Sequence, residues 1–377
     1  MRLLYLVSHP IQYQAPLLRF ISDDPNIHLK VLFENIDSFE SYYDTGFKAH
    51  ISWDTDLTNG YEYHHVKCIS EINAHLMKAD VLWLHGWDTM LKRRALHSAW
   101  RLGVPVLMRG ENTIFAMPDG KFVRGMIKRL YLRWVFNRCA GFLCIGSDNR
   151  EYYLAHGVRQ QQIFNMPYAI DNEAFSVDTR KSEKTLREFL RLEYERPIIL
   201  FAGKFLRRKN PVMLLEACRI MDREITRNPY LLFVGKGEAE QNLREIAGDL
   251  EWVRFMGFRN QSELPAIYAM ADVFVLPSEC EPWGLAVNEA MACGTAVIST
   301  DQCGCSADLI DDTVGRLIPA GDLMVLRAAI EEVLANRDRC SAMGRAARKR
   351  ISSWGFAEDL GGLKEAITAV VASQHQS

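Results

Sequence analysis

Short apolar runs alternate with amphipathic stretches from one end of the chain to the other. Leu3–Val7, Leu29–Phe33, Val81–Leu84, Val104–Met108 and Phe142–Ile145 are four or five residues long and rich in Leu, Val and Phe. Runs of that length and composition predict strands buried on both faces. Between them, Leu91–Leu102 and Val123–Cys139 space their apolar residues as a helix does. The alternation pauses at Asn165–Asn172, and a polar, charged stretch continues to Arg196. This reads as an interdomain linker. Strands then resume at Ile198–Ala202, Leu231–Val234, Val253–Met256, Val273–Leu276, Ala296–Ser299 and Leu317–Ile318. The helices between them include Pro211–Asp222, with Pro favoured at a first helical position. Ala357–Ala372 predicts a last helix, and Gln374-His375-Gln376-Ser377 a frayed end.

Strand-helix alternation of this kind predicts parallel sheets with crossover connections. The expected fold class is α/β, with two Rossmann-like, doubly wound domains facing across a cleft. Their expected extents are 1–168 and 169–354, with a C-terminal helix over 355–377 packing back on the first. Ligands of such sheets bind at the carboxyl ends of strands. The chemistry is therefore expected in strand-to-helix loops.

The chain's 377 residues suit two domains. No apolar run reaches the roughly 18 residues needed to span a bilayer. The apolar start Met1–Val7 stops at Ser8-His9-Pro10, too early for a signal-peptide core. Nine cysteines are scattered without a Cys-x-x-Cys, and Cys303-Gly304-Cys305 has no His nearby. They read as reduced thiols of a cytoplasmic protein. The net charge is −2, divided as +3 over residues 1–168 and −5 over the rest. The basic residues are not gathered into a strongly basic domain of the kind that binds nucleic acid.

Two loops of the second half carry candidate chemistry. In Gly203-Lys204-Phe205-Leu206-Arg207-Arg208-Lys209-Asn210-Pro211, four cations stand between a strand and a helix start. Such a loop is either a diphosphate cradle or a solvated basic turn. In Ser278-Glu279-Cys280-Glu281-Pro282-Trp283-Gly284-Leu285-Ala286-Val287-Asn288-Glu289, one carboxylate precedes a helix and a second lies within it. The helix is expected to open near Gly284 and to stop at Gly294. Two surface carboxylates are the plain alternative.

These loops belong to a longer pattern. Ile198–Pro319 resembles the donor domain of the family four retaining glycosyltransferases, which have the GT-B fold. The resemblance rests on five elements in order: Gly203-Lys204 with Lys209; Val234-Gly235-Lys236-Gly237; Met256-Gly257-Phe258; Tyr268-Ala269-Met270-Ala271-Asp272; and Pro277, Ser278, Glu281, Gly284 with Glu289. It implies that Lys204 and Lys209 neutralise a donor diphosphate and its developing charge, with Gly203 shaping the turn. Glu281 would meet hydroxyls of the donor sugar, and Glu289 those of the ribose. Backbone N–H groups of Trp283, Gly284, Leu285 and Ala286 would hold oxygens, and Phe258 would border the base. Lys204 stands where the family commonly has Arg, so a fork becomes a point charge.

By the same resemblance, the first domain would bind the acceptor. His9, Gln12 and Tyr13 in the first loop offer hydrogen bonds to a sugar, or cap the loop's own helix. His85 follows the third predicted strand, and Arg109 and Glu111 follow the fourth, where relatives often place a His. Asp54-Thr55-Asp56 matches a metal motif but follows no convincing strand, and is assigned to chance. Lys121–Arg138 has six Lys and Arg and no acid. It either packs on the sheet or lies on an anionic membrane.

The implied activity is transfer of a hexose, by resemblance glucose from UDP-glucose, to a saccharide or lipid-linked saccharide, with retention and without metal or other cofactor. Surface polysaccharide or glycolipid synthesis, in the cytoplasm or at the inner membrane face, is the implied setting. A nucleotide-sugar epimerase and a non-catalytic sugar-nucleotide-binding subunit are the alternatives.

Overall fold

The computed structural model describes residues 1–39, 41–120 and 122–374. Lys121, which opens the predicted basic helix, and residues 375–377 of the predicted frayed end lie outside them. The chain divides into two compact units. The first comprises Met1–Tyr42, Thr55–Ile170 and the chain from Gly355 on, and the second comprises Tyr43–Asp54 and Asp171–Trp354.

Up to Asn165 the strands are β1 (Arg2–Val7), β2 (His28–Phe33), β3 (Tyr42–Asp44), β4 (Ala49–Ile51), β5 (Glu62–His65), β6 (Val81–His85), β7 (Val106–Arg109), β8 (Gly141–Cys144) and β9 (Ile163–Asn165). Seven of them form the first unit's sheet, in the order β5-β2-β1-β6-β7-β8-β9. Every pairing in it is parallel, beginning with Leu3 opposite Leu29 and opposite Val81. Leu4, Leu6, Leu82, Leu84 and Met108 bury their side chains among those of the flanking helices. β3 and β4 pair only with each other.

The second unit continues with β10 (Ile198–Ala202), β11 (Tyr230–Val234), β12 (Val253–Gly257), β13 (Val273–Leu276), β14 (Ala296–Thr300) and β15 (Gly315–Ile318). Its parallel sheet runs β12-β11-β10-β13-β14-β15. All residues of β10, β11, β13 and β14 are buried, as continuous apolar strands between two helical layers must be.

Two expectations change. Residues 1–168 do not make one domain, because Tyr43–Asp54 belongs to the second unit. The polar stretch after Asn172 is not an open linker, since it holds the helix Arg180–Leu190. In that helix Arg187 donates to the Met270 carbonyl at 3.0 Å.

The last helix, Phe356–Gln374, runs against the first sheet. A Cβ at Gly362 would fall 1.5 Å from the Asn165 carbonyl oxygen, whereas one at Gly361 meets nothing within 4 Å. The two adjacent glycines should therefore respond oppositely to alanine. Gly361→Ala should raise stability by about 0.5–1 kcal/mol, by reducing the freedom of the unfolded chain. Gly362→Ala should lower it by about 2 kcal/mol or more, because backbone must move apart. Urea unfolding of the two variants checks both signs.

Candidate functional site

The strand order of the second sheet reverses between β10 and β13, so the loops that follow these neighbours diverge and leave a crevice at the strands' carboxyl ends. Those loops are the cationic segment after Ala202 and the segment after Leu276. The first is shaped by its neighbour turn. A side chain at Gly235, where φ is +129°, would begin 1.9 Å from the Gly203 carbonyl oxygen. A 3₁₀ turn over Arg207–Lys209 then hands the chain to the helix Pro211–Ile220. The second loop is tied to the loop after β14. Glu281 N–H donates to Gln302 O at 2.9 Å, and Gly304 N–H donates to Glu281 O at 2.9 Å. Gly284 turns the chain into the helix Leu285–Ala292 at φ +102°, and a Cβ there would meet Cys303 Sγ at 2.6 Å.

Glu281 is buried, and its Oε2 lies 2.8 Å from Arg208 Nη1 and 3.1 Å from Lys209 Nζ. Burial alone would push this carboxyl up, but the charges and hydrogen bonds of Lys209 and Arg208 hold it below the usual range. Glu289 is also buried, and its Oε2 accepts from Tyr268 Oη at 2.7 Å. Here burial wins over the hydrogen bond and the Lys209 charge, and the pKa rises to about 7. The two carboxylates thus sit in opposite electrostatic states. Among the described residues, the N–H groups of Gly284, Leu285 and Ala286 have no acceptor. They are the open donors of a helix start, where an anion is favoured.

Lys204 has a partner that the sequence did not reveal. Its Nζ lies 2.9 Å from Asp44 Oδ2 and 4.9 Å above the Phe47 ring. Asp44 also accepts from the Gly46 and Phe47 N–H groups. The Phe47 and Trp53 rings stand 5.0 and 5.7 Å from that of Phe258. Asn260 Nδ2 donates to Ser52 O, and Asp54 Oδ2 accepts from Ser262 N–H. Tyr43–Asp54 is thereby stitched over the residues expected to border a base. Trp283 is buried, its Nε1 3.1 Å from Asn288 Oδ1 and its ring stacked on Trp354.

In the first unit the order reverses between β1 and β6. His85 at the end of β6 joins a hydrogen-bonded chain in which Tyr5 Oη donates to Gln14 Oε1 at 3.0 Å and lies 2.8 Å from His85 Nδ1. Burial, with the nearby charge of Arg109, pushes the His85 pKa down to about 3, so the ring is neutral. Glu111 accepts from Tyr168 Oη, which lies 3.0 Å from Tyr13 Oη. Exposed His9 has Ser8 Oγ at 2.9 Å from its Nδ1, and Gln12 is half-buried in the same loop. Asp54 and Asp56 fall in different units and cap backbone N–H groups. Among the described residues, no group of three or more His, Cys, Asp or Glu is placed to hold a metal.

Arg109 has partners within its own unit. It is buried between the Trp83 and Tyr168 rings and pairs with the fully buried Asp359 at 3.4 Å. It also donates to the Met166 and Pro167 carbonyls. This guanidinium ties β7 to the last helix through Nη2, while its Nε has no hydrogen-bond partner among the described residues and it lines a small cavity with Tyr5, Tyr13, Gln14, Trp83 and Tyr168. Sequence reasoning also missed Asp44, whose partner is 160 residues away, and gave no role to Arg208 or Tyr268, though both stand in the motifs quoted above. Arg109→Met should cost about 3–5 kcal/mol by stranding the Asp359 carboxyl. Burial already raises that carboxyl to about 7 against the pull of Arg109. A raised folded pKa means stability present at acid pH and lost as pH climbs toward 7 and beyond. The variant's deficit should therefore be smaller at low pH, and the Arg109→Met/Asp359→Leu double variant should recover much of it. Thermal unfolding across pH measures both.

Residues 182–350 match the family glycosyl transferases group 1. A GDP-mannose-dependent alpha-(1-6)-phosphatidylinositol monomannoside mannosyltransferase from Mycolicibacterium smegmatis is 30% identical over 220 residues, covering 54% of this chain and 57% of that protein. A phosphatidyl-myo-inositol mannosyltransferase from Mycobacterium leprae is 34% identical over 180 residues, 46% of this chain and 47% of that one. The chain spans about half the length of these curated relatives in the matches. The crystal structure of Anabaena Alr3699/HepE in complex with UDP and glucose superposes with a TM-score of 0.75 at 15% identity, over 98% of this chain and 100% of that one. That likeness extends the fold to the whole chain. Residues 182–350 thus carry the pattern of the glycosyl transferases group 1 family, on a chain whose two Rossmann-like units have the GT-B fold.

Proposed function

We propose that this chain transfers a hexose from a nucleotide-diphosphate sugar to a saccharide or lipid-linked saccharide, with retention and without a metal. The observation that carries the reading is Glu281, buried between Arg208 and Lys209 beside a helix start with open N–H groups. Two cations share one carboxylate, which leaves one positive charge facing the crevice. A diphosphate is the anion that this arrangement stabilises, both bound and as a leaving group. Glu281 keeps a second oxygen for donor-sugar hydroxyls, and Glu289 accepts from the ribose once ionised. No metal is invoked, because Lys204 and Lys209 supply the positive charge. Donor phosphate would take the place of Asp44 on Lys204.

UDP-glucose and GDP-mannose are the two donors to compare. The first is the donor expected from the sequence, and a relative's fold is known with UDP and glucose. The second is named by the mannosyltransferase relatives, whose names also give phosphatidylinositol acceptors. Lipid-linked acceptors are therefore tested beside free saccharides.

Titration with UDP-, GDP- and ADP-sugars should show one nucleotide bound far more tightly than the others, with slow hydrolysis of its sugar. Epimerised donor in the absence of acceptor would replace this reading with an epimerase. Glu281→Ala should lower turnover by about a hundredfold or more, and unchanged turnover would sink the site assignment. Asp44→Asn, which frees Lys204, should tighten nucleotide binding severalfold in the same titration. Affinity should also rise with pH through about 7, as Glu289 ionises, and Glu289→Gln should remove that dependence.

A further inference from the structure

We propose that the first unit takes the reacting sugar of the acceptor by its hydroxyls, and that this sugar carries no phosphate or carboxylate. It rests on the acceptor reading above and names the class of acceptor which that reading left open. Because the strand order reverses between β1 and β6, the loops after β1, β2, β6 and β7 lie together at the carboxyl end of the first sheet. Residues 8–13, 34–36, 86–89 and 110–112 form these loops. They hold Glu34, Asp88 and Glu111 and no Lys or Arg. Glu34 and Glu111 are both half-buried, and Glu34 Oε1 accepts from Thr89 Oγ1 at 2.7 Å. Lys92 and Asp88 act electrostatically on Glu34 and on His85, and His9 acts on His85, so these side chains share one patch. Glu111 joins it through Tyr168 and Tyr13.

Two cations border the patch, and both are already taken. Lys92 Nζ sits 2.8 Å from Asp88 Oδ1, with its side chain only 3% exposed. Arg109 is as deeply buried and gives Nη2 to Asp359. The cavity that Arg109 lines is about 10 Å³, room for one water and not for a phosphate. Setting Arg109 against Asp359 leaves Glu34, Asp88 and Glu111 against Lys92, a surplus of two carboxylates. Carboxylates accept from hydroxyls, and a like charge brought beside them is disfavoured. A neutral ring finds acceptors in Glu34 and Glu111 and a neutral imidazole in His85. An anionic ring meets the surplus with nothing to offset it. The names of the mannosyltransferase relatives give phosphatidylinositol, an anionic polyol, and this patch suits a different acceptor. A lipid phosphate several sugars away would lie outside it.

The test is saturation-transfer NMR on the full chain, with its nucleotide present in excess so that the cationic loop of the second unit is occupied. The probes are methyl α-glucoside, methyl α-mannoside and myo-inositol, set against glucose 6-phosphate, mannose 6-phosphate and myo-inositol 1-phosphate. At least one neutral sugar should bind, and its phosphate should bind about tenfold or more weakly. Glu34→Gln/Glu111→Gln, which removes the surplus charge but keeps an oxygen at each position, should narrow that gap. A phosphate that binds as well as its parent sugar, or silence from all three neutral sugars, would overturn the proposal. So would an unchanged gap in a variant whose unfolding temperature shows it folded. Nucleotide titration of the parent chain reports the donor reading separately, since failure of that reading appears as absent nucleotide binding whatever the sugars do.

Discussion

A carboxylate taken out of water needs a positive partner, and Glu281 has two. That requirement joins two loops more than seventy positions apart in the chain. Without Arg208 and Lys209 the Glu281 loop would carry a buried charge costing several kcal/mol. Without Glu281 the two cations would repel each other across a short distance. The sheet makes the meeting possible, because β10 and β13 are neighbours at the place where strand order reverses. The helix start of Leu285–Ala292 is in turn aimed by Gly284, whose turn depends on the same loop.

The first unit uses similar physics to another end. Arg109 and Asp359 are as deeply buried, but theirs is one charge against one, with two carbonyls accepting from the same Nη2 and two rings flanking the guanidinium. Arg109 Nε and Asp359 Oδ2 are left without a hydrogen-bond partner among the described residues. The contrast is one of charge balance: Arg109 and Asp359 cancel, whereas Arg208 and Lys209 on one carboxylate leave a positive charge.

Much of the architecture was legible because parallel strands are continuous apolar runs. Ile198–Ala202 and Val273–Leu276 were delimited from sequence as they stand in the structure. β5 escaped because Glu62-Tyr63-His64-His65 is an exposed edge strand without an apolar signature. β9 escaped because three residues before a proline look like a pause. The motifs of the second unit were readable as a set, since one topology spaces them in order. Pair chemistry was not: Arg109 is the residue type an active site would use, and its partner Asp359 lies 250 residues away. Lys204 was read as a free cation for the same reason.

The segment Tyr43–Asp54 is made before most of the first unit, yet it completes the second. The second unit is therefore not a continuous stretch of gene. A fragment cut at the interdomain boundary would carry Lys204 without Asp44 and leave Phe258 and Asn260 bare. During synthesis the second unit is completed only when it meets a strand pair made 160 to 208 residues before its partners. Exchange of this unit between related enzymes would have to carry the small hairpin along, or replace what it covers.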